Sequence, residues 1–206
     1  MGFPARLYEP VFGRMLAGVR RVAVELVPPR PGMVVLDVGC GTGAFLAPYA
    51  AAGGAVAGVD SSAEMLGEAR RRLGPGALLV QADATALPLA SGSAGLVVAM
   101  MLFHSLSPHD GRAALAEMAR VAGEAGRVLV ADHRPEPPAG AGQRAARVLA
   151  RAVEGVAGHG AGVRVLSAGG GVAGLARALG LEVEERRSAA AGALEVLRLR
   201  CGGAPA

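Results

Sequence analysis

The sequence contains no lysine, no asparagine, no isoleucine and no tryptophan, so all 21 basic residues are arginine. Without lysine no side-chain Schiff base can form, which excludes pyridoxal-phosphate enzymes and lysine-dependent aldolases. A phosphate-binding P-loop is excluded too, because that motif needs a Lys. Aromatic residues make up 3% of the chain, too few for the stacking on which single-strand binding relies. Cys40 and Cys201 stand alone. Two distant cysteines form neither a disulfide framework nor a zinc site, so no metal is expected and a reduced, cytoplasmic setting fits. The start, Met1 to Arg6, lacks an apolar signal core, and Arg6 breaks the myristoylation pattern. The apolar run from Ala94 to Phe103 is too short to cross a bilayer.

What remains describes a globule. A chain of 206 residues that is 52% hydrophobic and 18% charged can form a single domain, 1–206, with a large core. The net charge is +4, but the arginines are scattered apart from Arg70, Arg71 and Arg72. That triplet falls near the end of a predicted helix, where cations complement the helix dipole. No nucleic-acid partner is expected.

Periodicity gives the order of elements. Apolar residues at three- to four-residue spacing predict an amphipathic helix over 10–27, stopped by Pro28-Pro29-Arg30-Pro31-Gly32. A Val-rich strand over 33–38 leads into a glycine turn at 39–43 and a helix to about residue 52. A second strand covers 55–59 and ends at Asp60. Ser61 or Ser62 then caps a helix running to about residue 73. Strands follow at 77–81 and 96–101, a helix at 110–122 and a strand at 127–132. Strands alternating with helices at this spacing predict a doubly wound, mostly parallel sheet. The rhythm then breaks. Residues 136–180 read as a helical, glycine-rich insert: a helix over 143–156, a glycine-rich stretch to Gly171 and a helix to Leu179. Strands at 181–187 and 194–200 are joined by only Ala189-Ala190-Ala191-Gly192, which requires a hairpin and an antiparallel last strand.

The segment Val35-Leu36-Asp37-Val38-Gly39-Cys40-Gly41-Thr42-Gly43 carries the strongest signal. A glycine turn between strand and helix lets backbone approach a ligand with no Cβ in the way, and open α/β sheets bind ligands beyond the carboxyl ends of their strands. Gly39-x-Gly41-x-x-Ala44 also fits the dinucleotide fingerprint, so a nicotinamide-dependent oxidoreductase is a rival reading. Asp60 suits either, because a carboxylate can accept from two vicinal ribose hydroxyls.

The nine-residue segment closely resembles the first motif of class I S-adenosylmethionine (SAM)-dependent methyltransferases, whose glycines face the amino-acid portion of the cofactor. The resemblance implies a Rossmann-like seven-stranded sheet, SAM as cofactor and Asp37 beside its ammonium group, with Cys40, Thr42, Ser61 and Met100 around it. Gln81-Ala82-Asp83-Ala84 fits the same family: Asp83 would accept from the adenine amino group, the Ala84 N–H would reach a ring nitrogen, and Met65 could pack on the ring. Pro88 to Val98 resembles the Leu-Pro-Phe-x-x-x-x-Phe-Asp pattern of ubiquinone/menaquinone-biosynthesis and related small-molecule methyltransferases, departing at Leu89 and Gly95. The likeness spans 33–132, the expected cofactor-binding core.

Methyl transfer is an in-line displacement that needs alignment and exclusion of water, and a base only if the nucleophile arrives protonated. His104 and His133, after strands four and five, are the candidate catalytic residues, with Arg134 on the same rim. His109 reads as a helix-start residue and His159 as part of a glycine-rich loop. The first helix, within an N-terminal cap over 1–30, would cover the acceptor through Tyr8 and Phe12. Its Arg14, Arg20 and Arg21 allow peripheral membrane contact. The expected activity is SAM-dependent methyl transfer to a small, apolar acceptor such as a quinone, phenol or lipid. A non-catalytic protein that keeps the SAM fold is the third alternative, and the oligomeric state is open.

Overall fold

The computed structural model of the chain describes residues 5–136, 140–145, 148 and 160–202. Its helices are α1 (Ala5–Leu26), α2 (Ala47–Ala51), α3 (Ala63–Leu73), α4 (Pro108–Ala122), α5 (Gly160–Ala168) and α6 (Gly171–Ala178). Its strands are β1 (Val34–Val38), β2 (Ala55–Asp60), β3 (Leu78–Gln81), β4 (Leu96–Met100), β5 (Arg127–His133), β6 (Glu182–Ala189) and β7 (Leu194–Arg200). They form one seven-stranded sheet in the order β3-β2-β1-β4-β5-β7-β6. β3, β2, β1, β4 and β5 run parallel, and β7 is antiparallel to both neighbours. This is the doubly wound, Rossmann-like α/β architecture that the alternation of patterns predicts.

Strand alternation divides the core into two layers. Leu36, Val38, Val97, Ala99, Val128, Val130, Leu197 and Leu199 face Leu115 and Met118 of α4 and Val172 and Ala176 of α6. Val35, Leu96, Val98, Leu129, Ala131, Leu194 and Val196 face Val19 and Ala23 of α1, Tyr49 of α2 and Leu66 of α3. Burial on both faces explains why these strands read as continuous apolar runs rather than alternating ones. Tyr49, fully buried, satisfies its hydroxyl by donating to the Val27 carbonyl at 2.6 Å, which ties α2 to the end of α1.

Local chemistry sets the boundaries. Ser62, not Ser61, caps α3, its Oγ accepting from Met65 N at 3.3 Å, and Gly74 ends the helix with φ 74°. α4 starts earlier than the periodicity suggests: Ser107 caps it and Pro108 opens its first turn, positions that suit both residues. α2 is much shorter than expected, because the chain through Gly43 to Leu46 forms turns and only then a helix with Pro48 near its start. β4 stops one residue early, where Met101 adopts φ 59°, and a 3₁₀ turn over Phe103–Ser105 follows. β6 runs two residues further than its pattern, and a 3₁₀ turn over Ala190–Gly192 closes the hairpin.

The glycine-rich stretch before Gly171 is the main departure. Residues Gly160–Ala168 are helical, because Val163 is buried and Leu166 packs on the α4 side of the sheet. That burial outweighs the low helix propensity of the flanking glycines. Of the helix expected over 143–156, residues 143–145 and 148 are helical. The rest of it, and His159, lie outside the described residues.

Candidate functional site

Because β1 to β5 run parallel, the candidates at the ends of β1, β2, β3, β4 and β5 fall at one edge of the sheet. At the end of β1 the chain turns through Gly39, Gly41 and Gly43, all with positive φ. Gly39 N and Cys40 N both donate to the Val59 carbonyl, at 2.7 and 3.0 Å, so the turn is stitched to the end of β2. Two of the glycines here permit close approach. A Cβ on Gly43 would lie 2.8 Å from Leu73 Cδ1 of α3, and a Cβ on Gly58 of β2 would lie 2.7 Å from Cys40 Sγ. Cys40 is therefore packed inward, and burial with the nearby Asp37 and Asp60 charges pushes its thiol well above the ordinary range. It is no nucleophile.

An open cleft lies over this turn. Its floor and sides are Asp37, residues of the loop from Gly39 to Phe45, and Met100 at the end of β4. Leu16, Val19 and Arg20 of α1 line it as well. Asp37 is 2% exposed, and its Oδ1 accepts no hydrogen bond among the described residues. Burial, and then the Asp60 charge, raise its pKa well above the usual carboxylate value. A buried acid with an unmet acceptor is costly. Its presence beneath a cleft marks a place for a cationic or hydrogen-bond-donating ligand.

Asp60, at the tip of β2, is half-buried. Its Oδ2 accepts from Gly41 N at 2.8 Å and its Oδ1 from Ser62 N at 2.9 Å. It thus braces the glycine turn against the start of α3, and each oxygen retains a further lone pair. Ser61 is exposed, and its carbonyl accepts from Gln81 Nε2 at 2.9 Å. Met65 is half-buried and belongs to neither apolar layer. Asp83 and Ala84 lie one strand further out and do not line the cleft. Asp83 is exposed, and its Oδ1 accepts from Thr85 N and Oγ1 at 2.8 and 2.7 Å. Those bonds hold its carboxyl below the usual range.

The arginine triplet is not wholly a solvated helix end. Arg72 Nη1 donates to the Thr42 carbonyl at 2.7 Å and to Thr42 Oγ1, so α3 grips the glycine turn from outside. No motif flagged this contact; only folding brings residues 42 and 72 together.

On the other side of Met100, the ends of β4 and β5 converge. His104, in the 3₁₀ turn, is buried, and its Nδ1 lies 3.2 Å from Asp132 Oδ1. Asp132 Oδ2 accepts from His104 N at 3.2 Å and Oδ1 from His133 N at 2.7 Å. The His104 and His133 rings meet edge to face at 5.2 Å. Asp132 is thus a member of the site that residue-by-residue reading missed. Its position beside His133 at a strand end was the available signal. A His104 that donates from Nδ1 to Asp132 would carry its acceptor nitrogen at Nε2. The ligand-type atoms of His104, Asp132 and His133 lie within 4.8 Å of one another, a grouping that could also accept a metal ion, where none was expected from the cysteine pattern.

The remaining candidates disperse. Arg134 bonds to Glu136 and Ser188, and His109 stands exposed in the first turn of α4. The side chains of Tyr8, Phe12 and Arg14 lie outside the described residues.

Comparison with known proteins agrees with this geometry. Residues 35–126 match a family model described as a methyltransferase domain. The chain is similar to demethylmenaquinone methyltransferase from Renibacterium salmoninarum, 41% identical over 113 residues that cover 55% of this chain and 46% of that one. It is also similar to nocamycin O-methyltransferase from Saccharothrix syringae, 34% identical over 65% of this chain and 49% of that one. The chain spans about half the length of the curated relatives it matches. Among solved structures, a SAM-dependent methyltransferase from Aquifex aeolicus superposes with a TM-score of 0.70 at 18% identity, covering 97% of this chain and 100% of that one. Residues 35–126 thus match the methyltransferase-domain model, and the described fold is shared with the Aquifex methyltransferase.

Proposed function

We propose that the protein transfers a methyl group from SAM to an oxygen of a small, apolar acceptor of the quinone, phenol or lipid class. The observation that carries this reading is Asp37: a nearly inaccessible carboxyl with an unmet acceptor, beneath a glycine-lined cleft at the carboxyl end of β1. A cationic ammonium answers that need. A nicotinamide dinucleotide, which would bring a pyrophosphate to this turn, places negative charge against it.

The residues fit SAM. Asp37 holds the ammonium, and the Gly39 to Gly43 turn gives room for the chain beyond it. Asp60 takes the ribose hydroxyls with its remaining lone pairs. Met65 and Ala84 flank the adenine, and Asp83 accepts from its amino group. When bound, SAM supplies a methyl carbon activated by a sulfonium charge. His104, held by Asp132, accepts a proton at Nε2 from the acceptor hydroxyl, and burial of the pair keeps water from competing. His133 packs against the His104 ring and fixes its plane. A base suited to a protonated oxygen favours O-methylation, the reaction named for the Saccharothrix relative. The demethylmenaquinone methyltransferase relative supports a quinone-like acceptor.

The chain acts as one catalytic unit, with α1 as cap, 33–132 as the cofactor core, and the insert and terminal hairpin completing the acceptor side. No helix among the described residues is long and apolar enough to cross a membrane. Contact with a lipid surface would run through α1.

Calorimetric titration with S-adenosylhomocysteine, in parallel with oxidised and reduced nicotinamide cofactors, tests the reading. Micromolar binding of S-adenosylhomocysteine alone is expected. Binding of a nicotinamide in its place would overturn the assignments of Asp37 and Asp83.

A further inference from the structure

His104, Asp132 and His133 are buried together where β4 and β5 end, and their ligand-type atoms lie within 4.8 Å of one another. Asp132 and His133 are consecutive on β5. His104 reaches both from the 3₁₀ turn after β4: its Nδ1 is 3.2 Å from Asp132 Oδ1, and its ring is 5.2 Å from that of His133. The parallel pairing of β4 with β5, Met100 opposite Ala131, fixes this approach.

Two imidazoles and one carboxylate are a ligand set for an ion of the zinc class. Magnesium and calcium prefer oxygen throughout, whereas imidazole nitrogen suits a borderline transition metal. Tetrahedral bonds of about 2.0–2.1 Å hold neighbouring ligand atoms about 3.4 Å apart. The 3.2 Å between His104 Nδ1 and Asp132 Oδ1 is already close to that edge. The third ligand atom lies within 4.8 Å of both and so has at most about 1.4 Å to close, the scale of a small side-chain rotation.

The carboxylate is preset for the task. Its Oδ1 accepts from His133 N at 2.7 Å and its Oδ2 from His104 N at 3.2 Å, contacts of the kind that orient a ligating carboxylate. Each oxygen keeps another lone pair. Asp132 is 1% exposed, and among the described residues its partners are those two N–H groups and the His104 ring, with no arginine. A buried carboxylate calls for a positive charge, which a divalent ion held by the two imidazoles supplies.

We propose that His104, Asp132 and His133 form a three-ligand site for one zinc-class ion, with the fourth position left to water, as three protein ligands on zinc commonly leave it. The inference goes beyond the methyl-transfer reading and does not depend on SAM. It also bears on that reading. Coordination through Nδ1 leaves the ring proton on Nε2, so a loaded His104 is no longer a base, and zinc switches that role off.

The test uses the untagged, metal-stripped full chain without SAM. Titration with Co²⁺, a spectroscopic stand-in for zinc, should give the visible bands of a four- or five-coordinate site at one ion per chain, and Zn²⁺ should abolish them by displacement. Mg²⁺ should not bind. His133→Gln should weaken Co²⁺ by more than the about 10- to 100-fold typical of losing a residue that only orients a ligand. His133→Cys, which puts a thiolate in place of the imidazole, should keep the ion and add sulfur-to-cobalt charge transfer. His109→Gln, which removes an exposed histidine of α4, should leave the titration unchanged, and thermal melts check that each variant folds. Absence of the bands in the wild type, or bands that survive unaltered in both His133 variants, would overturn the site. Titration of the same samples with S-adenosylhomocysteine reads the SAM proposal separately, since neither result depends on the other.

Discussion

Replacing Asp60 by alanine removes two hydrogen bonds that the folded chain makes to itself before any ligand enters. One is to Gly41 N at 2.8 Å and the other to Ser62 N at 2.9 Å. Bonds to a charged acceptor contribute about 1.5–3 kcal/mol each when dry, but Asp60 is half-buried and water can replace it, so about 1 kcal/mol apiece is the better figure. A loss of about 2 kcal/mol should lower the melting temperature by roughly 4–8 °C in a chain of this size. The effect on binding is larger. If both ribose hydroxyls donate to the carboxylate in a water-poor site, their loss costs about 3–6 kcal/mol, or roughly 150- to 20,000-fold in affinity. Asp60→Asn should fall between, since its amide keeps one acceptor but turns an N–H toward Gly41 or Ser62. Thermal melts and titration with S-adenosylhomocysteine separate the two parts. Affinity within about threefold of wild type would refute the ribose assignment. A melting temperature within about 1 °C would refute the bracing of the turn.

Other sites give equally direct outcomes. The pKa of Asp37 is raised in the folded state, by burial first and by Asp60 second, so folding favours its protonated form. Its contribution to stability is present below the ordinary carboxylate value of about 4 and is lost as pH rises through the folded-state value. Asp37→Asn removes that dependence. The apo variant should gain stability relative to wild type as pH increases across that window, while losing S-adenosylhomocysteine binding. A stability difference between the two that does not change between urea melts at low and neutral pH would refute the shift. Arg72→Met deletes the grip on Thr42 at an exposed helix end, and should weaken S-adenosylhomocysteine about 5- to 30-fold with little change in melting temperature. Unchanged affinity would show that the turn holds its shape alone. Asp132→Asn, assayed on whichever quinone or phenol turns over, should lower kcat about 100-fold or more while S-adenosylhomocysteine affinity stays within about threefold. An unaltered kcat and pH profile would remove His104 and Asp132 from the chemistry.

Much of the molecule is written in short-range pattern. The alternation of strands and helices, the glycine turn after β1, Asp60 at the tip of β2 and the reversed last strand all follow from periodicity, turn chemistry and a loop too short for a crossover. The sequence by itself determined which strand ends could carry a ligand, because in a parallel sheet every such end lies on one edge. Asp37 became a candidate through the resemblance of the segment from Val35 to Gly43 to the first methyltransferase motif, where it stands two residues before the first glycine. Tertiary structure alone decided the rest, because the deciding contacts join residues far apart in the chain. Gly160–Ala168 became helix only because Val163 and Leu166 found a surface to pack on. Arg72 was a helix-end cation until α3 docked against Gly43 and placed it on Thr42. Asp132 and His104 lie 28 residues apart and met only because β4 and β5 pair in register, Met100 opposite Ala131.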